Sequence, residues 1–187
     1  MERPYDIEIE PEVRAWLDTL PREHYRAVER HADRLAQEPT TIGEPYSRHL
    51  SGSVRELRFY LGDAARRVAR RRADHLSPDV RGVTVSRGYH TSWTIPEEHR
   101  ADPAYVEAGA AIALGQAVHD RRTSLGIDQA SLAARTGLST EDIDRLEGGG
   151  TAPTLPLLRI LARALDAALH VSIDMEETRV SFVPHAA

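Results

Sequence analysis

Gln129-Ala130-Ser131-Leu132-Ala133-Ala134-Arg135-Thr136-Gly137-Leu138-Ser139-Thr140-Glu141-Asp142-Ile143-Asp144-Arg145-Leu146-Glu147 decides the fold of the second half of the chain. It reads as helix, glycine turn, helix. Asp128 stands ahead of it as an N-cap. Ala133 is small enough to let two helices approach closely, and Gly137 turns the chain cheaply into the left-handed region. Ser139 caps a following helix from Thr140 to Glu147, with Asp142 three residues on completing a near capping box. Ile143 and Leu146 then anchor that helix to a core.

The same logic extends in both directions. Upstream, Ala111, Leu114, Val118 and Leu125 line one face of a helix that starts near Ala104 and stops at Gly126. Downstream, Gly148-Gly149-Gly150 closes the third helix and Thr154 caps a fourth, with Pro156 tolerable in its first turn. Leu158, Leu161, Ala162 and Leu165 sit there at helical spacing, and Leu169 to Asp174 alternates as a final strand.

Gln129, Leu132-Ala133, Gly137, Ser139, Ile143 and Leu146-Glu147-x-Gly149 resemble the Xre/Cro-type helix-turn-helix. The closing Leu169-His170-Val171-Ser172-Ile173 is similar to the end of HigA-type antitoxins, and the resemblance covers about Pro103 to Asp174. It implies that the third helix enters the major groove of operator DNA, with Gln129, Ser139, Thr140 and Arg145 as contacts, and that the protein works as a homodimer. Glu141, Asp142 and Asp144 depart from what a phosphate backbone favours, although one carboxylate can read cytosine N4.

The first half reads β-α-α-β-β-β. Asp6 to Glu10 alternates as a half-buried strand, and Pro11 opens a helix with Val13, Trp16, Leu17 and Leu20 on one face. Tyr25, Val28, Ala32 and Leu35 mark a second helix. Val54 to Leu61 is a clear strand. Arg66 to Arg72 is a poor core strand, since Val68 is its one large apolar residue, and Val83-Thr84-Val85 is a short third candidate.

Within this half, Ser47 to Arg58, with its Leu50-Ser51-Gly52 turn before Val54-Arg55-Glu56-Leu57-Arg58, resembles the RelE/HigB toxin family, as does Val13-Arg14-Ala15-Trp16-Leu17. That resemblance implies a microbial-ribonuclease-like sheet that cuts messenger RNA on the ribosome without a metal. Such chemistry needs a base for the ribose 2′-OH, cations for the phosphorane-like charge and an acid for the leaving oxygen. Arg58 and Arg67 would hold phosphate, with Tyr89 and His90 as acid and base. The family's closing lysine- or tyrosine-rich strand is replaced here by Val85 to Ser92, so the toxin-like part reads as degenerate.

Composition bounds these readings. The chain has 187 residues, 24 basic and 29 acidic, and no cysteine. That excludes disulfide scaffolds, thiol catalysis and cysteine-ligated zinc. All the cations are arginine. No apolar run approaches the ~18–20 residues of a membrane span and no leader opens the chain, so a cytoplasmic protein that contacts no membrane is expected. The net charge of −5 divides unevenly: residues 1–100 sum to 0, Tyr46–His90 to +6 and residues 101–187 to −5. No cofactor or metal is expected, and His24 and His31 read as surface histidines.

The expected organisation is therefore an α+β unit over residues 1–92, a small antiparallel sheet with a helical hairpin. A linker follows over 93–103, with Trp93 packing between domains. An all-α helix-turn-helix unit with a short final strand occupies 104–178, and a tail 179–187. Three functions fit: a DNA-binding regulator of toxin–antitoxin type carrying a degenerate toxin-like domain; a messenger RNA endonuclease held inactive by its fused antitoxin half; or an interaction module that binds a separate toxin or antitoxin chain and no nucleic acid. The first is preferred.

Overall fold

The computed structural model describes residues 7–9, 11–37, 44–51, 54–61, 64–71, 91–174 and 177–185. In chain order these form β1 (Glu8–Ile9), α1 (Pro11–Leu17), α2 (Arg22–Gln37), β2 (Ser47–Ser51), β3 (Val54–Leu61), β4 (Ala64–Arg71) and β5 (Thr91–Ser92). Then follow α3 (Glu97–Arg100), α4 (Pro103–Ser124), α5 (Gln129–Thr136), α6 (Thr140–Glu147), α7 (Leu155–Ala164), β6 (Ala167–Ile173) and β7 (Thr178–Pro184).

β2, β3 and β4 make an antiparallel meander with β3 in the centre. β4 is a full-length partner of β3, from Leu61↔Ala64 to Val54↔Arg71. The arginine-rich stretch is a strand because, among the described residues, it lies at the sheet edge. An edge position tolerates charge and discourages pairing with other chains. β2 forms in a stretch that reads as the approach to a turn. The proposed strand around Val83-Thr84-Val85 lies outside the described residues.

Beneath the sheet, Ile7, Ile9, Leu17, Val28, Ala32, Ala36, Phe59 and Leu61 form one core, joined by Trp93, Ile95 and Tyr105. Trp93 thus lies inside the first core rather than between domains. It meets Tyr25 edge-to-face at 6.3 Å. The cause is β1, which pairs with β5 and is extended by Trp93 N–H donating to Ile7 C=O at 2.8 Å. His31 is also buried, tilted against Tyr46 and Phe59, and burial with Arg34 and Arg30 nearby pushes its pKa down to about 3.

The second core gathers Leu114, Val118, Leu132, Ala133, Ile143, Leu146, Leu161, Ala164 and Leu165. The 22-residue α4 serves both cores: Tyr105 enters the first, Leu114 and Val118 the second, and Ile112 packs on Tyr46 between them. A helix buried on several sides must be apolar around much of its circumference, and Ala111, Ile112, Leu114, Gly115 and Val118 are all buried. The segment expected as a tail contains β7, which pairs with β6 from Ala167↔Pro184 to Ile173↔Thr178. The second unit therefore ends in a hairpin.

A buried charge network ties α2 to α3 and the start of α4. Arg26 donates to Asp102 at 2.9 Å and to Glu29 at 2.8 Å, and His99 Nδ1 lies 2.9 Å from Glu29. Asp33 accepts from Arg100 at 3.2 Å and from the Tyr105 hydroxyl. Asp102 also caps α4, accepting from Ala104 N–H at 3.0 Å. Burial would raise its pKa, but Ala104, Arg26 and Arg22 together hold it at about 2. Among the described residues no helix is long and apolar enough to cross a membrane.

Candidate nucleic-acid interface

Local chemistry sets the helix-turn-helix. Asp128 accepts from Ser131 N–H at 2.8 Å and starts α5. Gly137 ends it at φ +76°. Ser139 and Asp142 form a reciprocal capping box on α6, with Asp142 N–H donating to Ser139 Oγ at 3.0 Å. Ile143 and Leu146 are buried, which orients α6, while Ser139, Thr140 and Glu141 are exposed. The N-terminal end of α6 is thus presented outward from a packed base.

Glu147, at the other end of α6, is 1% exposed. Arg122 grips it with two bonds, 2.5 Å to Oε1 and 2.9 Å to Oε2, and Gln129 donates to Oε2 at 3.0 Å. His119 Nδ1 approaches it at 3.3 Å. Burial pushes this carboxyl up, yet the bonds from His119, Arg122 and Gln129 prevail and hold its pKa at about 2. Gln129 also reaches Asp144 at 3.3 Å, so its amide bridges both ends of this carboxylate pair.

The first unit meets α6 at this end. The Tyr60 hydroxyl on β3 donates to Asp144. Tyr60 covers Gly148 and Gly150: an added Cβ on Gly148 would lie 2.5 Å from its ring, and one on Gly150 would lie 2.4 Å from its Cβ. Gly149 has φ +74° and packs on Ile112 and Tyr46. Gly115 on α4 admits the Leu146 and Glu147 carbonyls, 2.5 and 2.6 Å from where its Cβ would be. The Tyr46 hydroxyl donates to Ile112 C=O at 2.7 Å. The glycine triplet does more than end a helix: it makes room for two tyrosines of the other unit.

A cleft of about 500 Å³ lies along this junction, lined by Arg58 and Tyr60 from β3, Arg122 from α4, Gln129 from α5 and Asp144 and Glu147 from α6. The structure therefore brings the sequence candidates Arg58 and Gln129 into one cleft. Ser139 is committed to its cap, Thr140 is exposed, and Arg145 lies 3.7 Å from Asp142. Arg67 stands opposite Arg58 in the β3–β4 ladder. Tyr89 and His90 lie outside the described residues.

Sequence reasoning missed Tyr60, Arg122 and Glu147. The glycine triplet was the available signal for Tyr60, because consecutive glycines permit close approach as well as turning. Of the acids that looked ill suited to DNA, Asp142 completes the cap and Asp144 holds Tyr60 and Gln129. Each has a structural role.

This arrangement defines a helix-turn-helix protein with an α+β unit docked beside its third helix. Residues 118–170 match the family model described as Helix-turn-helix, and residues 15–71 match that of Phage derived protein Gp49-like. No curated protein matches the chain. Among solved structures, the restriction-modification controller protein C.AhdI from Aeromonas hydrophila is 32% identical over 30% of this chain and 85% of that one, with a TM-score of 0.29.

Proposed function

We propose that the chain is a DNA-binding transcriptional regulator of toxin–antitoxin type. Its antitoxin-like helix-turn-helix binds operator DNA as a homodimer, and its first unit is a degenerate HigB/RelE-like domain. The observation that carries this is the exposed N-terminal end of α6, with Thr140 and Glu141 outward and Ile143 and Leu146 fixed in the core. Recognition helices read base edges from that end. The bonds that occupy Asp142, Asp144 and Glu147 soften the objection from the helix's acidity. A gel shift with the duplex upstream of the protein's own coding sequence tests the reading. Retardation at low salt, lost to competitor duplex of altered sequence, is the expected result; no retardation of folded protein defeats it.

A second reading has one specific observation in its favour. Acidic α6 lies against β3, the strand that carries the proposed phosphate-binding Arg58. An endonuclease silenced by its own second half would look like this, the tether supplying a high effective concentration. Full-length Tyr60→Ala/Asp144→Ala, made to unseat α6, should then arrest growth, and adding Arg58→Ala should relieve it. Normal growth with soluble double variant counts against the enzyme.

A further inference from the structure

We infer that Glu141 is a specificity determinant that selects cytosine in the major groove, its carboxylate accepting from the N4 amino group of the base. The inference rests on the DNA-binding reading and names the base that reading leaves open.

Two observations and the chemistry of the groove converge. First, of the carboxylates on α6, all but one are spent inside the protein. Asp142 closes the capping box with Ser139, Asp144 accepts from Tyr60 and Gln129, and Glu147 is gripped by Arg122. Glu141 is exposed and enters no hydrogen bond or ion pair among the described residues. At about 3.6 residues per turn it falls on the side of α6 away from the buried Ile143 and Leu146. It is therefore the carboxylate that a groove-bound α6 presents to DNA.

Second, donors near it are already used. Gln129 Nε2 donates to Asp144 at 3.3 Å and to Glu147 at 3.0 Å, and Ser139 Oγ donates to Asp142 at 2.6 Å. An amide nitrogen has two hydrogens to give and a hydroxyl one. These two expected DNA contacts thus offer acceptors and no spare donor. Recognition at this end suits bases that donate.

The donors in the major groove are the amino groups of cytosine, at N4, and of adenine, at N6. The amino group of adenine lies beside the N7 acceptor, which repels the second oxygen of a carboxylate. Cytosine places no acceptor beside N4 in the groove. An ionised carboxylate accepts only, so it fits cytosine better than adenine. Phosphate repulsion sharpens the choice, because a carboxylate that finds no donor is a net cost beside the backbone.

Sequence selection by the full chain tests this. A randomised duplex pool is selected with wild type, Glu141→Gln and Glu141→Ala, each checked for folding by circular dichroism. Wild type should fix cytosine at a position of each half-site. Glu141→Gln should move that position to adenine, whose N6 and N7 suit an amide, and Glu141→Ala should leave it open, with the other positions unchanged. Replacing the cytosine·guanine pair by uracil·adenine puts an acceptor where the amino donor stood. By anisotropy, wild type should bind that duplex about fivefold or more weaker, and Glu141→Ala should bind both alike. The slope of log K against log salt should be the same in wild type and Glu141→Ala, since no phosphate contact is lost. A consensus shared by wild type and Glu141→Ala, or a Glu141-dependent position that is not cytosine, overturns the inference and spares the regulator reading. So does Glu141→Ala binding every duplex tighter by one factor with a changed slope, since the carboxylate then only repels phosphate. No retardation of any duplex by wild type overturns both.

Discussion

Tyr60 of β3 occupies the space that a side chain at position 150 would need: a Cβ on Gly150 would lie 2.4 Å from the Tyr60 Cβ. One unit of the protein is shaped to the glycines of the other. Gly150→Ala should therefore destabilise the chain by about 1–3 kcal/mol, the usual range for forced overpacking. In a Tyr60→Gly background the same substitution should cost less, because the Cβ it meets is gone. Denaturant unfolding of the four proteins measures the coupling; additive effects would show that the two residues do not meet.

Glu147 and Arg122 form the second test. Their side chains are 1% and 13% exposed. Removing one partner of a buried pair leaves the other unpaired, which typically costs about 3–5 kcal/mol. Glu147→Ala should fall in that range by thermal or denaturant unfolding. Glu147→Gln, which keeps the shape and an acceptor, should lose less. Because Gln129 and His119 also bond this carboxylate, both variants should loosen the start of α5 in hydrogen exchange.

Acid sensitivity should begin earlier than carboxylates alone would dictate. His31 is held at about 3 in the fold against 6.5 for the free group. Between these values the unfolded chain binds a proton that the native one refuses. Stability is thus complete above about pH 6.5 and falls with acidification until about pH 3, by about 1.4 kcal/mol per unit from this group alone. His31→Leu should flatten the upper part of that dependence, from about pH 6 to 5. Glu147, lowered from 4.5 to about 2, acts in the same direction at lower pH: its contribution is whole above about 4.5 and is lost towards about 2. Equal pH dependence in wild type and His31→Leu would place the histidine in water.

Thr140→Ala should alter which sequences are preferred and leave the salt slope alone, since base contacts specify and phosphate contacts position. Selection from a randomised duplex pool, repeated for wild type and variant, reads this directly. An identical selected consensus would remove Thr140 from the reading surface.

The helix-turn-helix was legible in sequence because its punctuation is local. Asp128, Gly137, Ser139 and Thr154 act on backbone groups within a few residues. The clear strand at Val54–Leu61 was legible for a similar reason, a run bounded by Ser51-Gly52-Ser53 and Gly62-Asp63. What escaped was decided at long range. Trp93 and Ile95 look like linker residues until β1 reaches across the chain to pair with β5. His31 looks like a surface histidine until the sheet closes over it. The edge arginines of β4 conceal a strand whose partner, β3, supplies the pattern. At the junction, no period or spacing links Tyr60 to Asp144, 84 positions apart. Only the permissive glycines hint that something must come close.

The burial of Trp93 and Ile95 has a consequence for how such a protein is governed in a cell. Two partners made as separate chains can be synthesised and destroyed at different rates, and their ratio can carry a signal. Here the segment joining the halves is interior to one of them, and Glu29 and Asp33 of α2 depend on His99 and Arg100 beyond it. A cut at residue 92 would take part of the first core away. The two halves are made together at one-to-one, so switching between them cannot come from their relative rates of synthesis.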